Sequence, residues 1–532
     1  MAVAAIEHGL HATGRARTRV RSRRAIFPDV PRAVPLIALV AAIVATIWSS
    51  SSGYLTLYGD ARAHLDVARH VTDGITPGLA QLGTVWLPLP HLLMAPLVAV
   101  NWLWHSALAG SIVGGMSFVY SAVRLFSLGE EWLGSRRCAW VAFALYVTNL
   151  NILYIQTTAL TEHVLLAFFV GAAYHRTRWT RTLSHRDLVL AAVMTACATV
   201  TRYDGWFVLG AGLVVVALWS WRNERRASGG EANVLIFATV GGFGIVLWLL
   251  YNVIIFHDPL AFIHSSFSAQ SQQASLEQAG KLTTKGSAVQ SVLTYSWAVL
   301  DTAGSALAAL GLFGIGDVLA GAGRRRSRDV AVLVVLGAPV VFNILALWTG
   351  QSTLLVPNIA PGGMWNIRYG LMALPLLSLG GAALVRSGRM RARVVLAVGA
   401  SGILLMSTTT PITLADGLTG TSSATAGRPE LIANYLGKHY RGGAILADES
   451  SSAPLIFASG LDLSAFVTIG YHPYYENALA APANNVEWVV MSAGDAIAED
   501  MRLHPGRFRD YSVVLSDGRS RLLQRMAGGP SG

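Results

Sequence analysis

Residues 33–66 read AVPLIALVAAIVATIWSSSSGYLTLYGDARAHLD, and the order of that stretch decides the fold. The part from Ala33 to Ser51 carries no charge and comes close to the roughly 20 residues a helix needs to cross hydrocarbon. It breaks at Gly53, and Asp60, Arg62, His64 and Asp66 follow in quick succession. Ionisable groups at the mouth of a membrane span are expensive to desolvate, which makes them functional by default.

Run and break repeat along the whole chain of 532 residues, of which 53% are hydrophobic and 13% charged. A soluble domain carries about 25% charged residues. Apolar windows fall at 33–50, 107–127, 139–156, 162–174, 188–201, 205–221, 233–256, 291–320, 329–348, 367–385 and 394–411. Basic residues concentrate in alternate breaks: seven arginines in the first 32 residues, then Arg136 and Arg137, Arg176 to Arg186, Arg222 to Arg226, Arg324 to Arg328, and Arg386 to Arg393. If all eleven windows cross, these breaks share one side, which the positive-inside rule makes cytoplasmic. The basic N-terminus 1–32 is then cytoplasmic and uncleaved, and 33–411 is the membrane domain. Residues 51–106 form a long first outer loop, in which the Pro-broken stretch 88–104 is expected to lie along the interface. The net charge of +11 is spread between spans, not gathered on one face, so it is no nucleic-acid footprint. Cys138 and Cys197 support neither a disulfide framework nor a zinc site.

Beyond residue 411 the composition changes. Residues 412–428, rich in Gly, Ser and Thr, are expected to be a linker. In 429–532, β-branched runs at 444–447, 486–490 and 512–515 alternate with helical patterns such as 429–439. That alternation predicts a small extracytoplasmic α/β domain. The expected fold is a polytopic α-helical membrane protein of about 11 transmembrane helices with this domain at its C-terminus.

Sorting polar residues by side gathers Asp60, His64, Glu162, His163, Arg202, Asp204, Arg368 and Tyr369 on the outer turns. Asp60 suits a base that takes the proton of an acceptor hydroxyl. Arg202 and Arg368 suit a phosphate whose charge develops during reaction, because guanidinium binds it bidentately and stays charged. Asp60 and Glu162, with His163, offer ligands suited to Mg²⁺ or Mn²⁺. Plainer readings compete: Arg368–Tyr369 as an interfacial anchor, His70 and His91 as surface or packing residues, Arg62 and Arg69 as snorkelling side chains. Asp60 and Glu162 have no sequence-local partner that would make them structural.

In order, these residues resemble the integral-membrane glycosyltransferases of the GT-C superfamily, nearest the protein O-mannosyltransferase and aminoarabinose transferase branch. Gly59-Asp60-Ala61 looks like that family's catalytic acidic position, and Thr161-Glu162 like its second outer acidic position. Trp86-Leu87-Pro88-Leu89-Pro90-His91-Leu92 resembles its proline-rich interfacial segment, with the usual adjacent prolines split by Leu89. Arg136-Arg137, His257-Asp258-Pro259 and Arg368-Tyr369-Gly370 resemble further members of the series. The resemblance implies a polyprenyl-phosphate sugar donor and inverting transfer at the outer leaflet to a protein, glycolipid or cell-wall glycan. It implies Asp60 as base or acceptor-orienting acid, Glu162 as a second acidic group supporting acceptor or metal, and Arg368 as phosphate partner; Arg202 and Asp204 are added on side and chemistry alone. The first loop lacks a lysine that some members carry near the proline segment. An Ala-, Arg- and Gly-rich composition points to a bacterial chain and hence the plasma membrane. The competing class is a secondary transporter or flippase, which would place charges at mid-membrane on broken helices, often in inverted repeats. No repeat is visible, and the charges cluster at the outer ends.

Overall fold

The computed structural model describes residues 30–223, 227–265, 282–321, 325–360, 363–424, 429–471 and 473–526, with scattered residues between 266 and 281. The basic N-terminal segment through residue 29, Arg225, Arg226, Arg324 and the expected linker residues 425–428 lie outside these.

Every expected apolar window holds a helix. Among the described residues, seven helices are long and apolar enough to cross a membrane. They become eight if the bent pair Ala288–Ala303 and Ser305–Ala320 counts as one crossing. α1 (Ala33–Ser51) buries only Val34, Ala38, Ala42 and Ser49, a stripe at near-helical spacing that leans on α5 (Leu108–Leu133). Its other faces, with Leu36, Val44 and Ile47 at least 60% exposed, are suited to lipid. α8 (Glu162–Thr182) is the reverse. It is buried along most of its length among α5, α9 (His185–Thr199) and α10 (Asp204–Asn223), needs no lipid-facing surface, and so carries lower hydropathy.

Three expectations need correcting in detail. The window 139–156 is not one helix: α6 (Arg136–Val147) ends, and α7 (Leu150–Ile155) restarts after Asn149, whose side chain accepts from the N–H groups of Asn151 and Ile152 as an N-cap. The window 291–320 bends by 112° between α13 (Ala288–Ala303) and α14 (Ser305–Ala320). Gly304, at φ 82, makes the corner that a side chain would strain. Residues 412–424 are no linker; they form helix α18 (Ile412–Ala424). Its Thr413 bonds Asn151, and its Asp416 accepts from Ile367 N at 3.1 Å, so local polarity is spent on tertiary contacts. Between α14 and α18 lie α15 (Arg325–Trp348), α16 (Leu374–Leu384) and α17 (Arg389–Ser407).

The loop 51–106 folds over one end of the bundle as α2 (Gly59–Arg69), α3 (Leu89–Val98) and α4 (Asn101–His105). Leu89 N bonds Val200 O at 3.0 Å, which stitches the proline-rich segment to the α9–α10 turn. The C-terminal domain holds a five-stranded sheet in the order β2-β1-β3-β5-β4. β1 (Ile445–Ala447), β2 (Phe466–Val467) and β3 (Trp488–Ser492) run parallel, and β4 (Tyr511–Ser516) and β5 (Ser520–Arg525) close it antiparallel. All three expected strand runs and the helix Pro429–His439 are found.

Candidate active site

Three carboxylates sit in the first turns of three helices: Asp60 in α2, Glu162 in α8 and Asp204 in α10. Negative charge is favoured there by the helix dipole and by free N–H groups. Two arginines reach in from turns. Arg202 comes from the short connection between α9 and α10, and Arg368 from the 3-10 turn Ile367–Ala373 that leads into α16.

Glu162 is the hinge of the cluster. Its Oε1 accepts from Arg368 Nε at 3.0 Å and from Arg202 Nη1 at 3.1 Å. Arg368 Nη2 donates to Asp60 Oδ2, and Arg202 Nε to Asp204 Oδ2 at 3.2 Å. The chain of contacts therefore runs Asp60, Arg368, Glu162, Arg202, Asp204. Asp204 is also held by Asn343 Nδ2 at 2.9 Å, and Arg202 by Thr161 Oγ1 at 3.0 Å. Each guanidinium stacks on an aromatic face, Arg368 over Tyr58 at 4.7 Å and Arg202 over Tyr369 at 4.9 Å.

Burial separates the members. The Glu162 and Asp204 side chains are 1% exposed and that of Arg368 4%, whereas Asp60 is 43% exposed. Asp60 is thus the carboxylate of the cluster that an arriving molecule can touch. With three carboxylates against two guanidiniums the cluster keeps one negative charge in excess. An excess negative charge beside an open surface can accept a proton or orient a hydroxyl.

His64 lies one helical turn from Asp60 and bonds, through Nδ1, the Nε2 of His91 at 2.8 Å; its ring packs on Trp86 at 4.3 Å. Burial pushes His64 down to about 3, so it stands as a neutral imidazole. His163 is buried beside Glu162, and its Nδ1 takes no partner among the described residues. Tyr369 lies against both guanidiniums, and its carbonyl accepts from Tyr295. His70 and His91 are both buried and packed, not on the surface.

The divalent-metal expectation does not fit. The guanidinium of Arg368 stands between Asp60 and Glu162, where a cation bridging them would have to be. Among the described residues no three His, Cys, Asp or Glu side chains gather as a metal site. Sequence reading also missed Asn343, which bonds Asp204, and Asp416, which accepts from Tyr58 and from the backbone N–H of Ile367 beside Arg368. Asp416 and Asn343 lie far along the chain from the residues they support, and no local pattern marks them.

No protein-family model matches the sequence, and no curated protein matches it. Solved structures do match. ArnT from Cupriavidus metallidurans, solved bound to undecaprenyl phosphate, is 14% identical with a TM-score of 0.58, over 94% of this chain and 99% of that one. An oligosaccharyltransferase from Archaeoglobus fulgidus matches at a TM-score of 0.46 and 11% identity, over 86% of this chain and 68% of that one. The archaeal oligosaccharyltransferase AglB from the same organism, in complex with an inhibitory peptide and a dolichol-phosphate, matches at 0.44 and 12%, over 94% and 74%. The chain has the ArnT fold, the one implied by the resemblance of its motifs to the GT-C group.

Proposed function

We propose that the protein is an integral-membrane glycosyltransferase that moves a sugar from a polyprenyl-phosphate donor to an acceptor hydroxyl. The reaction faces the extracytoplasmic side of the plasma membrane, with the N-terminus cytoplasmic and the C-terminal domain on the side of the site. The observation that carries this reading is the half-exposed Asp60 carboxylate, aimed by a buried Arg368–Glu162–Arg202 chain at one end of the bundle. The fold likeness to ArnT, crystallised with undecaprenyl phosphate, supports the donor class, and the clustering of arginines at the other end supports the orientation.

In this reading the acceptor O–H points at Asp60, which takes the proton as the acceptor oxygen attacks the anomeric carbon. The bond from that carbon to the phosphate oxygen breaks, and its electron pair leaves on the lipid phosphate. One displacement inverts the anomeric centre. The phosphate is met by guanidinium nitrogens outside the internal hydrogen bonds, which use Nε and Nη2 of Arg368 and Nε and Nη1 of Arg202. Glu162 and Asp204 hold the arginines, and the neutral His64–His91 pair walls the site beneath Trp86. The acceptor is a protein, glycolipid or cell-wall glycan hydroxyl.

The test is turnover by the purified protein in lipid with radiolabelled polyprenyl-phosphate sugars. Asp60→Asn should lower the rate by at least about 100-fold, the scale of a lost general base, with an unchanged thermal midpoint. Full activity of that variant removes Asp60 from the chemistry. No turnover with any donor, together with lipid or sugar flux in vesicles, turns the reading to a transporter.

A further inference from the structure

A cavity lined by charged side chains lies away from Asp60. It has a volume of about 520 Å³ and opens where α5 ends, α6 begins, α8 ends and α16 passes into α17. α8 spans the distance between the two places: Glu162 stands at its first residue and Arg181 in its last turn, about 28 Å apart at 1.5 Å per residue. The volume is in the range of sites that enclose small molecules.

Its walls are strongly cationic. Arg137, Arg181, Arg328, Arg386 and Arg389 line it, against the two carboxylates Glu131 and Asp329. Both acids have partners. Glu131 Oε1 meets Arg181 Nε at 3.0 Å, and Asp329 Oδ1 accepts from Trp132 Nε1 at 2.9 Å. Arg328 lies over the Trp219 ring. Among the described residues, Arg137, Arg386 and Arg389 make no ion pair, so the cavity keeps an excess of three positive charges.

Backbone dipoles add to that excess. α6 starts at Arg136 and α17 at Arg389, and neither has an acidic residue in its first turn. α17 follows Gly388, at φ 139, and has no side-chain cap hydrogen bond, so its first N–H groups have no competing side-chain acceptor. Helix N-termini of this kind favour anions. The contrast with the Asp60 cluster is direct: there both arginines pair with carboxylates through part of their guanidinium donors, and the excess charge is negative.

We propose that this cavity is a second ligand site, one that takes a phosphate-bearing anion on the forks of Arg137, Arg386 and Arg389. Guanidinium matches phosphate geometry with two parallel hydrogen bonds, and basic pockets between membrane helices are suited to lipid head groups. The same chemistry has two sources, an anionic phospholipid of the adjoining leaflet or a soluble phosphate compound. A bound phosphate would tie the α5–α6 turn, the end of α8 and the α16–α17 turn together at one depth.

The full-length protein is purified in detergent and offered either phosphatidylglycerol, with phosphatidylcholine as reference, or inorganic pyrophosphate. Native mass spectrometry reads retained lipid, and calorimetry reads pyrophosphate. Wild type is compared with the Arg137→Gln, Arg386→Gln, Arg389→Gln triple variant and with Arg391→Gln, whose guanidinium pairs with Asp317 outside the cavity. The triple variant should lose about tenfold or more in affinity, the loss expected for charge-assisted hydrogen bonds, and Arg391→Gln should match wild type. Loss confined to phosphatidylglycerol names the lipid as the source, and loss confined to pyrophosphate names the soluble anion. Absence of binding by wild type, or equal binding by wild type and the triple variant, overturns the proposal. If the triple variant does not fold, the exposed single change Arg386→Gln carries the same comparison, and unchanged binding there overturns it as well.

Discussion

Glu162 Oε1 accepts from two guanidiniums at once, and the carboxylate is shielded from water. Removing its charge would leave Arg368 and Arg202 facing each other across a buried space. Breaking a buried pair costs about 3–5 kcal/mol, because the surviving charge is stranded. Glu162→Gln should therefore lower stability by a few kcal/mol, whereas Asp60→Asn, at a position 43% exposed, should lower it by less than about 1 kcal/mol. Thermal midpoints of the two variants in the same detergent separate the roles. Equal drops would mean that Asp60 holds the structure as much as Glu162 does, and would weaken its reading as the reacting acid. At this scale the sequence marks charged residues at span ends and is silent about how they pair. Asp60, Glu162, Arg202, Asp204 and Arg368 stand out as charges at span ends. That Arg368 fills the gap between Asp60 and Glu162, and so displaces the expected metal, depends on contacts between residues up to 308 positions apart.

Helix-to-helix contacts in the bundle rest on small residues where backbones meet. α14 and α16 cross at Gly314 and Gly380: a Cβ on Gly314 would fall 1.7 Å from the Gly380 carbonyl oxygen, and one on Gly380 2.5 Å from the Gly311 oxygen. Such approaches are how membrane helices gain packing without a hydrophobic drive between them. The atom in the way is backbone, so it cannot turn aside as a side chain would. Gly314→Ala should push the two helices apart and destabilise the protein by about 1–3 kcal/mol, the scale of overpacking. Gly316→Ala, two residues along the same helix with open space at its Cβ, should be close to neutral. Similar midpoints for the two variants would refute the close crossing. Helices were the most legible level of the sequence, because apolar runs and polar breaks carry them directly. Their interruptions were not. A predominantly apolar window at 139–156, read as one span across Thr148, Asn149 and Asn151, hides the Asn149 cap, and Gly-, Ser- and Thr-rich composition at 412–424 hides a helix whose polar groups bond the bundle instead of water.

The C-terminal domain and the candidate site share one helix. α2 carries Asp60, which meets Arg368, in its first turn, and is followed directly by His70, which meets the domain. Tyr471 OH lies 2.6 Å from His70 Nδ1, and His70 Nε2 lies 3.3 Å from Glu449 Oε1. Nearby, Arg69 bonds Asp73, whose carboxylate also accepts from Leu463 N. The small domain is thus fastened to the far end of the helix that presents Asp60, and loosening it should be felt there. Burial alone would raise Glu449, but the charge and hydrogen bond of His70, with Thr468, outweigh it and hold the carboxyl below the usual carboxylate range. A depressed carboxyl stabilises the folded state above its unfolded pKa of about 4.3, and that contribution is lost as pH falls through the folded value. Acidification from pH 5 downward should therefore loosen the docking, and Glu449→Gln should reproduce the effect at neutral pH, by about 1–3 kcal/mol for a hydrogen bond to a charged group. Hydrogen exchange across Gly59–Arg69 and Glu449–Ser459 reads both segments. Faster exchange in both would show that docking and site geometry move together. Faster exchange confined to the C-terminal segment, with α2 unchanged, would separate the domain from the site and leave α2 held by the bundle alone.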